Sequence, residues 1–255
     1  MTRLSLAAFL AVFVGSSTVA LADARPFTFT YDTYAVGKGG FEYEQWAEWQ
    51  THKPGEHGYD RFDFRHEFEF GITDYFDLAI YLPSWHYEDS KELKGTKFDS
   101  VDIEAIVYLS NPRKDPLGVG LYAETKIGED ELELEFKLLL QKDWGKWVFA
   151  YNLVLETAIE GAFDSKAENE VEGELKHVFG VSYALTPKVL VGAEAVVESV
   201  YADWSVYEHT TVWAGPAISY QPTDKFFITA TAMYQFTDTQ DEPDWRLRVI
   251  AGFSF

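Results

Sequence analysis

From Phe41 onward the chain alternates bulky apolar and polar residues in short segments, each closed by glycine, proline or charged turns. The clearest run sets Leu132, Leu134, Phe136, Leu138 and Leu140 against Glu133, Glu135, Lys137 and Gln141. Another sets Phe62, Phe64, Phe68 and Phe70 against Asp63, Arg65, Glu67 and Glu69. Successive side chains of a strand point to opposite faces, so a period of two predicts strands with one apolar and one polar face. The last such segment runs from Asp244 to Phe255, with Trp245, Leu247, Val249, Ala251 and Phe253 on one face and Arg246 and Arg248 on the other.

The turns sort into two kinds. Gly71 to Tyr75, Asn111 to Pro116, Asp143 to Lys146, Thr186 to Lys188 and Gln221 to Lys225 are short. The stretches 52–59, 88–97, 160–171, 200–208 and 237–243 are longer and mostly charged, and Gly128 to Asp130 is a short connection among them. Segments of about ten residues, with short turns at one end and long loops at the other, are the pattern of a membrane barrel with an even number of strands. Parity works if Phe41 begins the first strand, which gives about 12 strands. Pro26 to Val36 also alternates, Phe27, Phe29 and Tyr31 against Thr28, Thr30 and Asp32, before Gly37-Lys38-Gly39-Gly40 breaks it. Residues 23–40 are therefore set apart as an N-terminal extension, periplasmic or entering the lumen, and residues 41–255 as the barrel. The fold expected is all-β: a closed antiparallel transmembrane β-barrel of about 12 strands.

Composition narrows the setting. Arg3, the apolar run Leu4 to Val14 and the ending Ala20-Leu21-Ala22 have the order of a secretory signal peptide, with cleavage expected after Ala22. With no cysteine there is neither a lipoprotein anchor nor a disulfide framework. The chain carries 21 basic against 42 acidic residues, a net charge of −21, which argues against nucleic acid as a partner because phosphates require basic patches. Aromatics at 17% argue against disorder.

The leader, the closing strand Val249 to Phe255 and the turn Phe70-Gly71-Ile72-Thr73-Asp74-Tyr75-Phe76 resemble those of Gram-negative outer-membrane β-barrels. They are most similar to poorly characterised families of small acidic barrels, porin-like or transporter-like. The resemblance implies the outer membrane of the bacterial cell as the location, with lipid and lipopolysaccharide around the barrel. It also implies that Phe253 and Phe255 form the terminal signal read by the outer-membrane assembly machinery.

Candidate chemistry follows the polar face. Glu42, Glu44, Glu67, Glu69, Asp102, Glu104, Glu133, Glu135, Glu174 and Glu194 are expected to line the lumen with Arg246 and Arg248, acids outnumbering bases. Such a lining favours passive or weakly selective passage of small cationic or neutral solutes. The alternative is an occluded structural or surface-interaction barrel whose carboxylates are paired internally. Trp46 and Trp213 fall on the inward set, whereas the aromatics at segment ends form interfacial girdles.

An enzyme is not expected. His66 shares the face of Phe62 and Phe68, where an outer-membrane lipid hydrolase would need a serine partner that local spacing does not supply. His52, Glu56 and His57, and the acidic loop Asp238, Asp241, Glu242 and Asp244, lack the spacing of metal sites. No metal or cofactor is expected.

Overall fold

The structure, a computed structural model, describes residues 25–164 and 169–255; the leader expected at residues 1–22 lies outside the described residues. Twelve strands follow one another: β1 (Phe41–Lys53), β2 (Glu56–Thr73), β3 (Phe76–Asp89), β4 (Lys94–Ser110), β5 (Gly118–Ile127), β6 (Glu131–Trp144), β7 (Trp147–Glu160), β8 (Glu170–Thr186), β9 (Val189–Ala202), β10 (Val206–Thr223), β11 (Phe226–Gln235) and β12 (Trp245–Ser254). Each pairs antiparallel with its sequence neighbours, and β12 closes on β1 in a register from Glu42 opposite Ser254 to Thr51 opposite Trp245. Closure leaves no sheet edge, so every strand has two hydrogen-bonded neighbours.

The alternation decides which side chains face in. Glu44, Trp46, Glu67, Tyr81, Glu104, Tyr122, Asn152 and Trp213 are buried inside. Ile103, Leu109, Leu121, Phe136 and Phe179 stand exposed on the outer wall. An apolar exterior around a polar interior inverts a water-soluble protein and suits hydrocarbon outside. Replacing Leu121, midway along β5, by arginine is expected to destabilise the folded barrel by about 2–4 kcal/mol in a bilayer. Urea unfolding in lipid vesicles measures it, and a cost near zero would place that wall outside hydrocarbon.

Three of the long connections are shorter than the sequence suggests. The stretch 88–97 reduces to 90–93, with Asp89 opposite Lys94. The stretch 52–59 is a tight turn, because β1 and β2 stay paired as far as Lys53 opposite Glu56. The stretch 200–208 reduces to 203–205, with Val206 opposite Ala202. Strands extended past an apolar belt carry polar residues on both faces, so their tips read as loop in the sequence.

The two-residue turns 74–75, 145–146, 187–188 and 224–225 gather at one rim with the C-terminus, here the turn end; loops such as 90–93 and 236–244 form the loop end. Residues 25–40 form no strand and run inside the barrel, where Phe27, Thr28, Thr30, Tyr31 and Thr33 are buried.

Candidate functional site

The lumen is organised around that inner segment, which side chains of the wall hold mainly by its backbone. Glu194 on β9 takes most of the load. Its Oε1 accepts from the Thr28 N–H at 2.9 Å, the Thr28 hydroxyl at 3.3 Å and the Thr231 hydroxyl at 2.5 Å. Its Oε2 accepts from the N–H groups of Phe29 and Thr30 at 2.8 and 2.7 Å and from the Thr30 hydroxyl at 2.9 Å. Three successive N–H groups converging on one carboxylate make a backbone nest, which stabilises a buried negative charge without a cation.

Asn152 on β7 then clamps Tyr31 at both backbone groups, accepting from its N–H at 2.7 Å and donating to its carbonyl at 3.0 Å. Gln141 on β6 accepts from the Thr33 N–H at 2.6 Å, and Asp77 on β3 from the Val36 N–H at 2.9 Å. At the turn end the Gly39 N–H donates to the Gly71 carbonyl at 2.7 Å, and the Gly71 N–H to the Gly40 carbonyl at 3.0 Å. The approach is so close that a Cβ at Gly71 would lie 1.8 Å from the Gly37 carbonyl oxygen. Gly180 makes similar room for Phe27, whose ring would lie 2.8 Å from a Cβ there.

The segment folds back on itself within the barrel. Arg25 and Val36 both lie towards the turn end, against Glu44 near the start of β1 and Asp77 near the start of β3. Phe29 lies deeper, its ring under the guanidinium groups of Arg248 at 4.0 Å and Arg246 at 5.0 Å. Those two arginines share Glu48, whose Oε1 accepts from Arg246 Nε at 2.7 Å and whose Oε2 accepts from Arg248 Nε at 2.6 Å. Arg248 also donates to the Thr28 carbonyl at 3.2 Å.

All twelve residues expected to line the lumen sit on the inward face; beside Glu194, Arg246 and Arg248, already placed, the other nine fall into three groups. Glu133, Glu135 and Glu174 join Glu156 and Glu198 in a ladder of ion pairs with Lys126, Lys137 and Lys176 across β5 to β9. Asp102 pairs with Arg65, which also meets Glu124 and lies 4.0 Å from the Tyr81 ring centre. Glu42, Glu44, Glu67, Glu69 and Glu104 crowd the turn half of β1, β2 and β4, where Arg25 of the inner segment pairs with Glu44 and the Ser254 hydroxyl donates to Glu42. Glu104 there accepts from Tyr81 at 2.6 Å. Phe253 and Phe255 are exposed on the outer rim.

Other candidates resolve more simply. His66 bonds to the Tyr43 hydroxyl at 2.9 Å on the outer wall, and no serine bonds to it among the described residues. His52 pairs with Asp244 at 2.5 Å. Within the loop 236–244, burial and the charge of Glu198 raise the Glu242 carboxyl above its ordinary range, against the pull of Arg246. That loop folds inward: Trp213 Nε1 donates to the Pro243 carbonyl at 2.8 Å. Two groups of possible ligands have their donor atoms within 4.8 Å of one another, Asp63 with His86 and Asp99, and Glu133 with Glu135 and Glu156. Lys126 already stands among the second, and Arg61 pairs with Asp63 in the first.

Sequence reasoning does not single out Arg25, Asp77, Gln141, Asn152 or Thr231. The available signal is an amide at an inward position of an otherwise apolar strand, as Asn152 is within Trp147 to Leu155. It marks a buried polar group in need of a partner.

Solved structures with this architecture include two porins. The NanC porin is 11% identical, with a TM-score of 0.56 over 84% of this chain and 98% of its own. The KdgM porin is 10% identical, with a TM-score of 0.52 over 84% and 99%; KdgM has also been solved with disordered oligogalacturonate. At such identity the likeness is one of fold. No curated protein matches the sequence. The sequence model of one family, described as a family of unknown function (DUF6662), matches residues 19–242.

Proposed function

Because the chain belongs to DUF6662, a family of unknown function, its role has to be argued from its lumen, and we propose that it is an outer-membrane passage for small cationic or neutral solutes, closed by its own residues 25–40. The observation that carries this reading is the seating of that segment. It fills the turn half of the barrel, yet it forms no strand and is held mainly by wall side chains, with backbone hydrogen bonds to β2 at Gly39 and Gly40. A plug of that kind is separable from its barrel.

Cation preference follows from the charge left when the plug is set aside. Lysines and arginines of the wall are engaged with Glu48, Asp102, Glu124 and the ladder, so once Arg25 leaves with the plug the carboxylates around Glu44, Glu67 and Glu69 outnumber the bases. Carboxylates in excess of bases along a narrow path raise the local concentration of cations. The ligand of the KdgM complex does not carry over, since a polymer of uronic acid would meet like charge here. Export by a cleaved leader, insertion through Phe253 and Phe255 and contact with lipopolysaccharide belong to the same proposal.

A permanently filled scaffold is the second reading, favoured by the inward bulk of Trp46, Tyr81, Tyr122 and Trp213. Planar-bilayer recordings separate the two. The mature chain is expected to be closed most of the time, and the chain lacking residues 25–40 to give stable channels whose reversal potential in a salt gradient shows cation preference. A silent deletion variant would favour the scaffold; anion preference would overturn the acidic path.

A further inference from the structure

The turn half of the lumen keeps a cavity of about 130 Å3 between the plug and the wall. Glu42, Glu44, Glu67, Glu69 and Glu104 line it, with Asp32 from the plug, and the cation among them is Arg25. Its guanidinium lies over the Trp46 ring at 4.5 Å and the Tyr31 ring at 4.6 Å, and its Nη1 donates to Glu44 Oε2 at 2.8 Å.

We propose that this cavity is a binding site for small guanidinium-bearing solutes and that Arg25 occupies it as the chain's own copy of that ligand. The inference rests on reading residues 25–40 as a removable plug.

The fit of Arg25 is good in charge and incomplete in hydrogen bonding. Its Nε and Nη2 are buried without a partner. Across the cavity, Glu69 is only 9% exposed and receives no hydrogen bond from the described residues. Among the described residues Glu67 accepts only from the indole N–H of Trp46, at 3.1 Å. Unmet donors and unmet acceptors thus line one small space. The Arg25 backbone is anchored, its carbonyl accepting from the Thr229 hydroxyl at 2.6 Å, so its guanidinium reaches the cavity from one fixed point and is held at Glu44. A free guanidinium is not so constrained, and its planar fork suits carboxylates beneath an aromatic face.

A bare metal ion suits the cavity less well. The groups of carboxylate and histidine atoms that converge within 4.8 Å among the described residues lie elsewhere in the barrel. The indole of Trp46, moreover, offers a metal no ligand atom.

The test is chemical rescue in the full-length chain. Arg25→Ala should lower the midpoint of thermal unfolding in detergent. Methylguanidinium chloride should then raise the midpoint by several degrees, saturably, and should leave the parent chain, whose site is filled, unmoved. The same concentration of sodium chloride should not substitute, and Glu67→Gln with Glu69→Gln should abolish the rescue. An equal response in parent and variant, rescue by sodium, or rescue that survives loss of both glutamates would overturn the site. Arg25→Gln, which keeps more of the side-chain volume, carries the same titration if the alanine variant does not fold.

Bilayer recordings on the same proteins keep the two readings apart. Saturable rescue in a chain that never conducts would preserve the site and sink the gate. Channels that open without rescue would sink the site alone.

Discussion

Full-length chain carrying Glu194→Ala is expected to conduct in planar bilayers under conditions where the parent is mostly closed. Six hydrogen bonds end on that one carboxylate, five of them from Thr28, Phe29 and Thr30. Removing the acceptor leaves three backbone donors facing a cavity. A net hydrogen bond contributes about 1 kcal/mol, and a bond to a charged group somewhat more. Even with water recovering most donors, the seated state should lose on the order of 3 kcal/mol, roughly a hundredfold in the ratio of seated to released plug. Glu194→Gln keeps one carbonyl acceptor and should lie between the two. The observable is the fraction of time spent open; a value equal to that of the parent would mean that Glu194 does not latch the segment.

The second large effect is on stability. Glu48 is the shared partner of Arg246 and Arg248, and its side chain is 7% exposed. Glu48→Ala leaves two half-buried guanidinium groups beside each other without their shared partner, Arg246 keeping only the weaker pull of Glu198 and Glu242. Breaking a buried pair in this way typically costs about 3–5 kcal/mol, and the partial exposure here places the effect at the lower end. The cost is one of stranding charge, so it should be recovered in part when the arginines go too, as in Glu48→Leu with Arg246→Leu and Arg248→Met. Urea midpoints of the refolded barrels test both statements. If the single and triple variants fell equally, the loss would come from disturbed packing around Phe29 and Trp46.

The strand count, the start at Phe41 and the inward set were legible because a barrel wall imposes a period of two on every residue between lipid and lumen. Leu132 to Gln141 reads directly as β6, and the closing register of β12 on β1 keeps Arg246 and Arg248 inward. The plug was only half legible. Phe27 to Asp32 alternates like a strand, yet its hydrogen bonds go to Glu194 and Asn152, and those of the adjoining Thr33 to Gln141, all more than a hundred residues away. No local spacing records such pairings. Paired and surplus carboxylates are equally indistinguishable in the sequence: Glu135 and Glu69 occupy equivalent alternating positions, but Lys137 reaches the first at 2.8 Å and no base of the wall reaches the second.

The seating of residues 25–40 is tested most directly by labelling. The chain has no native cysteine, and Thr28, which is fully buried, contributes through its side chain only the 3.3 Å bond to Glu194. Thr28→Cys therefore reports on the plug while disturbing it little. In vesicles or detergent, a charged maleimide should fail to modify that thiol in the otherwise unaltered chain and should modify it readily when Glu194→Ala is added. Rapid labelling without the second substitution would contradict a plug held in the lumen.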